Sequence, residues 1–333
     1  MANAVSLPFC VPWFATTATG AAAGIAMQGH PTAHNGFLNQ STTLSCRKNF
    51  LSGYTSPQVG IPRIVFNQFP FIEHYGVNAR FGLPFYLEII KKMLDEGFYV
   101  FFNGVDDYYL PGKSWYGIRH IPHDGIVCGY DDGDATFSIA AYDINWVFRL
   151  IRIPQSSFLE GVRACVEEGH FGGINAYRVK EDTVVELDEA KILNYLKEYV
   201  SQTADQFSLE PKGGVEGIAV HDFLAMYIDK LKDGSIPSDK VDWRSMRPVW
   251  EHKRCMLYRI QAIEEKHGWG NDFSARYAPL VDDANRTRMM YAMFHKNQKL
   301  ALLNRIKDGI LSVRNREEKI LQEFIKKMEA EIT

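Results

Sequence analysis

Arg119-His120-Ile121-Pro122-His123-Asp124-Gly125-Ile126-Val127-Cys128-Gly129-Tyr130-Asp131-Asp132 is answered, a few residues later, by Ile139-Ala140-Ala141-Tyr142-Asp143. The first stretch reads as a histidine at the start of an apolar, β-branched strand. Asp131-Asp132-Gly133-Asp134 supplies a turn, because glycine takes positive φ freely and aspartate bonds its own backbone. Phe137-Ser138-Ile139-Ala140 alternates as a returning strand does. On adjacent antiparallel strands the start of one lies beside the end of the other, so His123 and Asp143 are expected as neighbours. An imidazole takes a proton from a nucleophile, and a carboxylate on its other nitrogen fixes the tautomer and steadies the imidazolium. The same residues also serve as ordinary caps of a strand and a turn. His120 is the weaker candidate base, since it precedes Pro122 and lies outside the apolar strand.

His-Asp-Gly-Ile-Val-Cys-Gly-Tyr-Asp-Asp followed by Phe-Ser-Ile-Ala-Ala-Tyr-Asp resembles the His–Asp half of papain-like cysteine enzymes. Within that group it resembles more the family of butirosin biosynthesis protein H and the bacteriocin leader peptidases. Leu94 to Pro111 is similar to that family's helix end, strand and aromatic loop before the histidine, and the likeness is good over roughly 80–150. The resemblance implies an α+β fold. A papain-like domain with an antiparallel sheet and an N-terminal helix spans 1–160, and a mainly helical domain follows over 161–333. It also implies a cysteine at the start of a helix packed on the sheet. Leu7-Pro8-Phe9-Cys10-Val11-Pro12-Trp13 leads into a small-residue helix from Phe14 to Met27, so Cys10 is the candidate nucleophile. A helix N-terminus and a nearby imidazolium both favour a thiolate. Cys46, followed by Arg47 and Lys48, is the rival, and a chain without any catalytic cysteine is the third possibility. Tyr108, Tyr109 and Trp115 crowd the loop before His120 as a substrate wall, or as packing over a strand edge.

Composition sets wide bounds. The 333 residues are 46% hydrophobic and 23% charged with a net charge of −3, an ordinary globular balance without the basic field that nucleic acid requires. Five scattered cysteines suggest reduced thiols in the cytoplasm and show no metal-like spacing. No apolar run reaches the ~18 residues of a membrane span. No basic segment precedes the Ala15–Met27 stretch, which reads as a packed helix and not a signal peptide. Walker, dinucleotide, zincin and nucleophile-elbow motifs are not found, and no cofactor or metal is expected.

Between these landmarks, Leu83–Leu94 reads as a helix closed by Gly97, Phe98–Val105 as a buried strand, Ser156–Val166 as a helix and Val184–Leu187 as a short strand. Helices over Glu189–Tyr199, Val220–Lys232, Trp243–His267, Phe273–Phe294 and Lys299–Ile332 follow, the last with an apolar stripe from Ile306 to Met328. Their part containing Trp250 to Arg259 also resembles the helical C-terminal part of the butirosin-H-like proteins. His252 and Arg259 are expected in packing and ion pairs there.

The family likeness implies a bacterial acyltransferase of antibiotic or other secondary-metabolite biosynthesis. The acyl group would pass from an acyl carrier protein or peptidyl carrier domain, through a Cys10–His123–Asp143 site, to a small-molecule amine. Hydrolysis of a peptide or amide by the same site is the alternative. A non-catalytic accessory protein of a biosynthetic cluster is the other.

Overall fold

The computed structural model describes residues 3–10, 12, 25–26, 30, 32–40, 43–53, 56–61, 69–78, 85–170 and 173–332. The helix expected over Phe14–Met27 lies outside them apart from Ile25 and Ala26, which are helical and buried. In chain order the strands are β1 (Ala4–Ser6), β2 (Ser45–Arg47), β3 (Gln58–Gly60), β4 (Ile72–Val77), β5 (Tyr99–Asp106), β6 (Pro122–Asp131), β7 (Thr136–Tyr142), β8 (Phe148–Pro154), β9 (Gly173–Val179) and β10 (Gly214–Glu216). The α-helices are α1 (His34–Leu38), α2 (Tyr86–Asp95), α3 (Gln155–Glu167), α4 (Glu189–Ser201), α5 (Val220–Lys232), α6 (Arg247–His267), α7 (Asp272–Asn297) and α8 (Ala301–Ile332). The chain is therefore α+β, with an antiparallel sheet and a helical C-terminal region.

Two compact units form, one from 1–37 with 63–185 and the other from 38–62 with 186–333. This division departs from the expected boundary at 160. The reason is β9, which inserts between β4 and β5 and so binds the chain up to 185 into the sheet. Neither β4 nor β9 was anticipated: His74 and Tyr75, and Asn175 and Arg178, interrupt the apolar pattern in strands that cover only part of a face.

The first unit is built on a sheet of order β4-β9-β5-β6-β7-β8. β1 lies against the distal end of β6, on the edge opposite β7. Asp131 closes the β6–β7 turn as its residue types require, its Oδ1 accepting from Gly133 N at 2.9 Å and Asp134 N at 3.3 Å. One face of the sheet carries Val100, Phe102, Val105, Val127, Ile139, Ala141, Ile153 and Ile174. Tyr86, Ile90 and Leu94 of α2 and Phe158, Val162 and Cys165 of α3 pack on that face and are all buried. Burial of side chains of this size contributes about 1.5–3 kcal/mol each. β1 comes so close to β6 that a Cβ on Gly129 would stand 2.3 Å from Val5 O, which restricts the position to glycine. Val184–Leu187 is not a strand. That segment is held by other groups: Val185 N donates to Thr32 O and Asn35 Nδ2 to Val185 O.

In the second unit β10, β2 and β3 make a small antiparallel sheet, and the helices α4 to α8 pack beside it. The stripe of α8 is core packing: Ile306, Ile310, Val313, Leu321, Phe324 and Met328 are buried. Deep in this unit Glu317 accepts from Lys253 Nζ at 2.5 Å, Tyr277 OH at 2.5 Å and Tyr199 OH at 2.9 Å. Arg259 is fully enclosed and donates to the carbonyls of Leu38 and Gln40, the packing role its position suggested. Among the described residues no helix is long and apolar enough to cross a membrane.

Candidate active site

β5 ends at Asp106 with Asp107 directly after it, and β6 begins at Pro122, so the ladder Val105↔His123 and Asp106↔Pro122 brings two carboxylates beside two histidines. His123 donates from Nδ1 to Asp107 Oδ2 at 2.5 Å. The Asp107 side chain is 2% exposed, whereas that of His123 is 33% exposed. The other oxygen, Oδ1, lies 3.5 Å from the buried Lys113 ammonium. A narrow cavity is lined by Asp107 and Lys113, with Leu110, Ala141 and Ile151 among its other walls. With Nδ1 committed to the carboxylate, the neutral imidazole carries its lone pair on Nε2, the atom a general base uses.

A second pair stands next to it in sequence. His120 Nδ1 donates to Asp106 Oδ2 at 2.6 Å. Asp106 Oδ1 also accepts from Ile121 N at 2.9 Å and Tyr108 N at 3.1 Å, so this carboxylate fastens the loop as well as the ring. Tyr108 stacks on His120 at 4.2 Å between centroids, and Tyr109 lies at 6.0 Å. Tyr108 and Tyr109 are thus gathered about His120, while half-buried Trp115 braces the loop, its carbonyl accepting from Ile118 N and Arg119 N.

Asp143 is not the partner of His123. Its Oδ1 accepts from Asn145 N at 2.8 Å and Val147 N at 2.9 Å, and its Oδ2 meets Arg149 Nε at 2.6 Å. The carboxylate has turned into the β7–β8 loop, where two backbone donors and a guanidinium outcompete a single imidazole, and Asp107 holds the imidazole instead. Burial by itself raises the Asp143 carboxyl, but the Val147 and Asn145 N–H groups and Arg149 bring it below its ordinary 3.8. A carboxylate depressed in the folded state stabilises the fold above its unfolded value and loses that contribution as pH falls through the folded value. Asp143→Asn should therefore cost about 1–2 kcal/mol at pH 7. The gap to the wild type should narrow as pH drops below 3.8, read as urea midpoints at a series of pH values.

The two candidate nucleophiles are placed elsewhere. Tyr99 OH donates to Pro8 O at 2.6 Å, and Leu7 N to Cys128 O at 2.8 Å. These bonds set the segment before Cys10 against the Tyr99–Cys128 end of β5 and β6, where a Cys10 thiolate would add to the burial that already raises both of those residues. His123 is five residues back along β6, about 16 Å at ~3.3 Å per residue. Burial pushes the Cys10 thiol up, which disfavours thiolate. Cys46 is enclosed in the second unit's sheet, with burial pushing it up to about 12, so it is an inert structural thiol. Among the described residues no group of three or more His, Cys, Asp or Glu side chains is arranged to hold a metal ion.

Sequence reasoning singled out His123 and passed over Asp107 and Lys113, which the fold places beside it. The available signal was the doubled Asp106-Asp107 directly after an apolar strand, two carboxylates in a position where turn chemistry needs one. No protein-family model matches the chain, and no curated protein matches it.

Proposed function

We propose that the protein transfers an acyl group from a carrier-protein thioester to an amine, with His123 as general base and Asp107 as the carboxylate that orients it. The observation that carries this reading is the 2.5 Å bond from a partly exposed imidazole to a buried carboxylate. The chemical direction comes from the papain-like, butirosin-H-like resemblance of residues 80–150. In the one-step form, the amine nitrogen attacks the thioester carbonyl while His123 Nε2 takes its proton. The C–S bond then breaks, and the proton goes to the departing thiolate. In the two-step form, Cys10 first takes the acyl group and releases the carrier thiol, and the amine then attacks the acyl-enzyme. The burial of Cys10 and its neighbourhood with Tyr99 and Cys128 favour the one-step form. Water in place of the amine would give the hydrolase. The raised Cys10 thiol also favours a second reading, a non-catalytic accessory protein that binds the same carrier.

A carrier protein loaded with a labelled acyl thioester, supplied with an amine acceptor, separates these. The expected result is transfer that survives Cys10→Ala and is lost in His123→Ala, with slow labelling of Cys10 by iodoacetamide at pH 7. Trapping of an acyl group on Cys10 would move the reaction to the two-step form. Carrier binding without turnover would leave the accessory reading.

A further inference from the structure

The antiparallel pair α7 and α8 leaves an open groove of about 350 Å³ in the second unit. That volume falls within the ~300–1,000 Å³ of small-molecule sites. Its wall on α7 is methionine: Met289, Met290 and Met293 line it, and Met289 and Met293 are 56% and 53% exposed. Its floor is the crossing of Thr287 and Gly309, where a Cβ on Gly309 would sit 2.4 Å from Thr287 Oγ1. That hydroxyl is already spent, donating to Asp283 O at 2.9 Å, so the floor presents no unsatisfied donor. Unbranched thioether side chains adapt to flexible apolar ligands better than branched ones do.

The ends of the groove differ in charge. At one end Asp283 is paired with Arg286 and, at 2.5 Å, with Arg316, so these charges are offset. At the other end Arg305 is exposed, and no carboxylate among the described residues pairs with it. The turn leading to it carries Lys296 and Lys299, and Asp308 is the one carboxylate between residues 293 and 309. A guanidinium at the mouth of an apolar channel suits a carboxylate or a similar anionic head.

The geometry points to a binding site for a single-chain amphiphile with an anionic head: the chain lies on Met289, Met290 and Met293, and the head is held by Arg305. The site does not depend on the acyl-transfer reading, since it uses no residue of the His123–Asp107 pair. The test is a titration of the whole protein, labelled with ¹³C-methyl methionine, with dodecanoate below its micellar concentration. Dodecyltrimethylammonium serves as the matched cation, and single Met→Leu variants assign the resonances. Saturable shifts confined to the methyls of Met289, Met290 and Met293 are expected with dodecanoate and not with the cation. Arg305→Glu should weaken binding at least fivefold, and Met290→Trp, with unchanged circular dichroism, should fill the groove and remove it. Equal response to both detergents, shifts spread over other methionines, or an Arg305→Glu titration that matches the wild type would overturn the site. Shifts that follow protein concentration in place of dodecanoate would overturn it too, by showing that a second copy of the chain covers the groove.

Discussion

Asp107→Asn should lower acyl transfer by about 10²–10⁴-fold, the range that a positioned acid–base group supplies. Asp107 Oδ2 accepts the Nδ1 proton of His123, and an amide at the same place offers two donors and one acceptor. If the amide nitrogen faces the ring, Nδ1 must become the acceptor, the proton moves to Nε2, and the base is lost. If the oxygen faces the ring, the tautomer survives, but no negative charge steadies the imidazolium that forms during proton transfer. Lys113 loses its anionic partner at 3.5 Å in either case, so some stability falls too. His123→Gln separates the two effects, because it removes the base and leaves the Lys113–Asp107 pair in place. Equal losses in kcat for both variants, with Asp143→Asn holding kcat within a few-fold of wild type, are the expected pattern. A deep kcat loss in Asp143→Asn alone would return that residue to the site. Carrier-linked thioester turnover, followed with circular dichroism on each variant, supplies the measurement.

The contrast between Asp107 and Asp143 shows how far a sequence can be read here. The strands β5 to β7 and the helices α2 and α3 were legible, because their apolar residues alternate or recur at helical spacing and are bounded by Gly97, Asp131–Asp134 and Pro154. The long helices from 220 onward were legible for the same reason. Strand pairing was legible only as far as register goes. Ile126↔Ala140 extends to His123 facing Asp143, which is what two flat strands would give. The side chains then follow local donors: the β7–β8 loop offers Asn145 N and Val147 N, and Asp143 turns to them. β9 was illegible because Asn175 and Arg178 break its pattern while its neighbours β4 and β5 supply its hydrogen bonds. No local signal states that 38–62 joins the helical unit, since β2 meets β10 across more than 150 residues and β3 is joined to it only through β2.

Glu317→Ala should be the most damaging single substitution in the helical unit, at about 3–5 kcal/mol. Glu317 and Lys253 have no exposed surface, and the carboxylate also takes hydroxyl protons from Tyr199 and Tyr277. Removing it leaves an ammonium in a site where burial already pulls Lys253 below its ordinary value against the opposing pull of Glu317. It also strands two phenol groups that cannot reach water, each an unmet donor costing about 1–3 kcal/mol. Lys253→Met should cost less, because two phenol donors still hold the carboxylate and Met fills most of the space. The double variant Lys253→Met with Glu317→Leu removes both charges together. It should recover the part of the loss that comes from the stranded ammonium, since a buried ion pair replaced by apolar groups of like volume is often close to neutral, while the two phenols stay unmet. Urea midpoints with an unchanged m-value would give the stabilities, and the cycle closed with the single Glu317→Leu variant would give the coupling. A double variant no more stable than Glu317→Ala would show that the tyrosine hydroxyls, and not the stranded ammonium, carry the penalty.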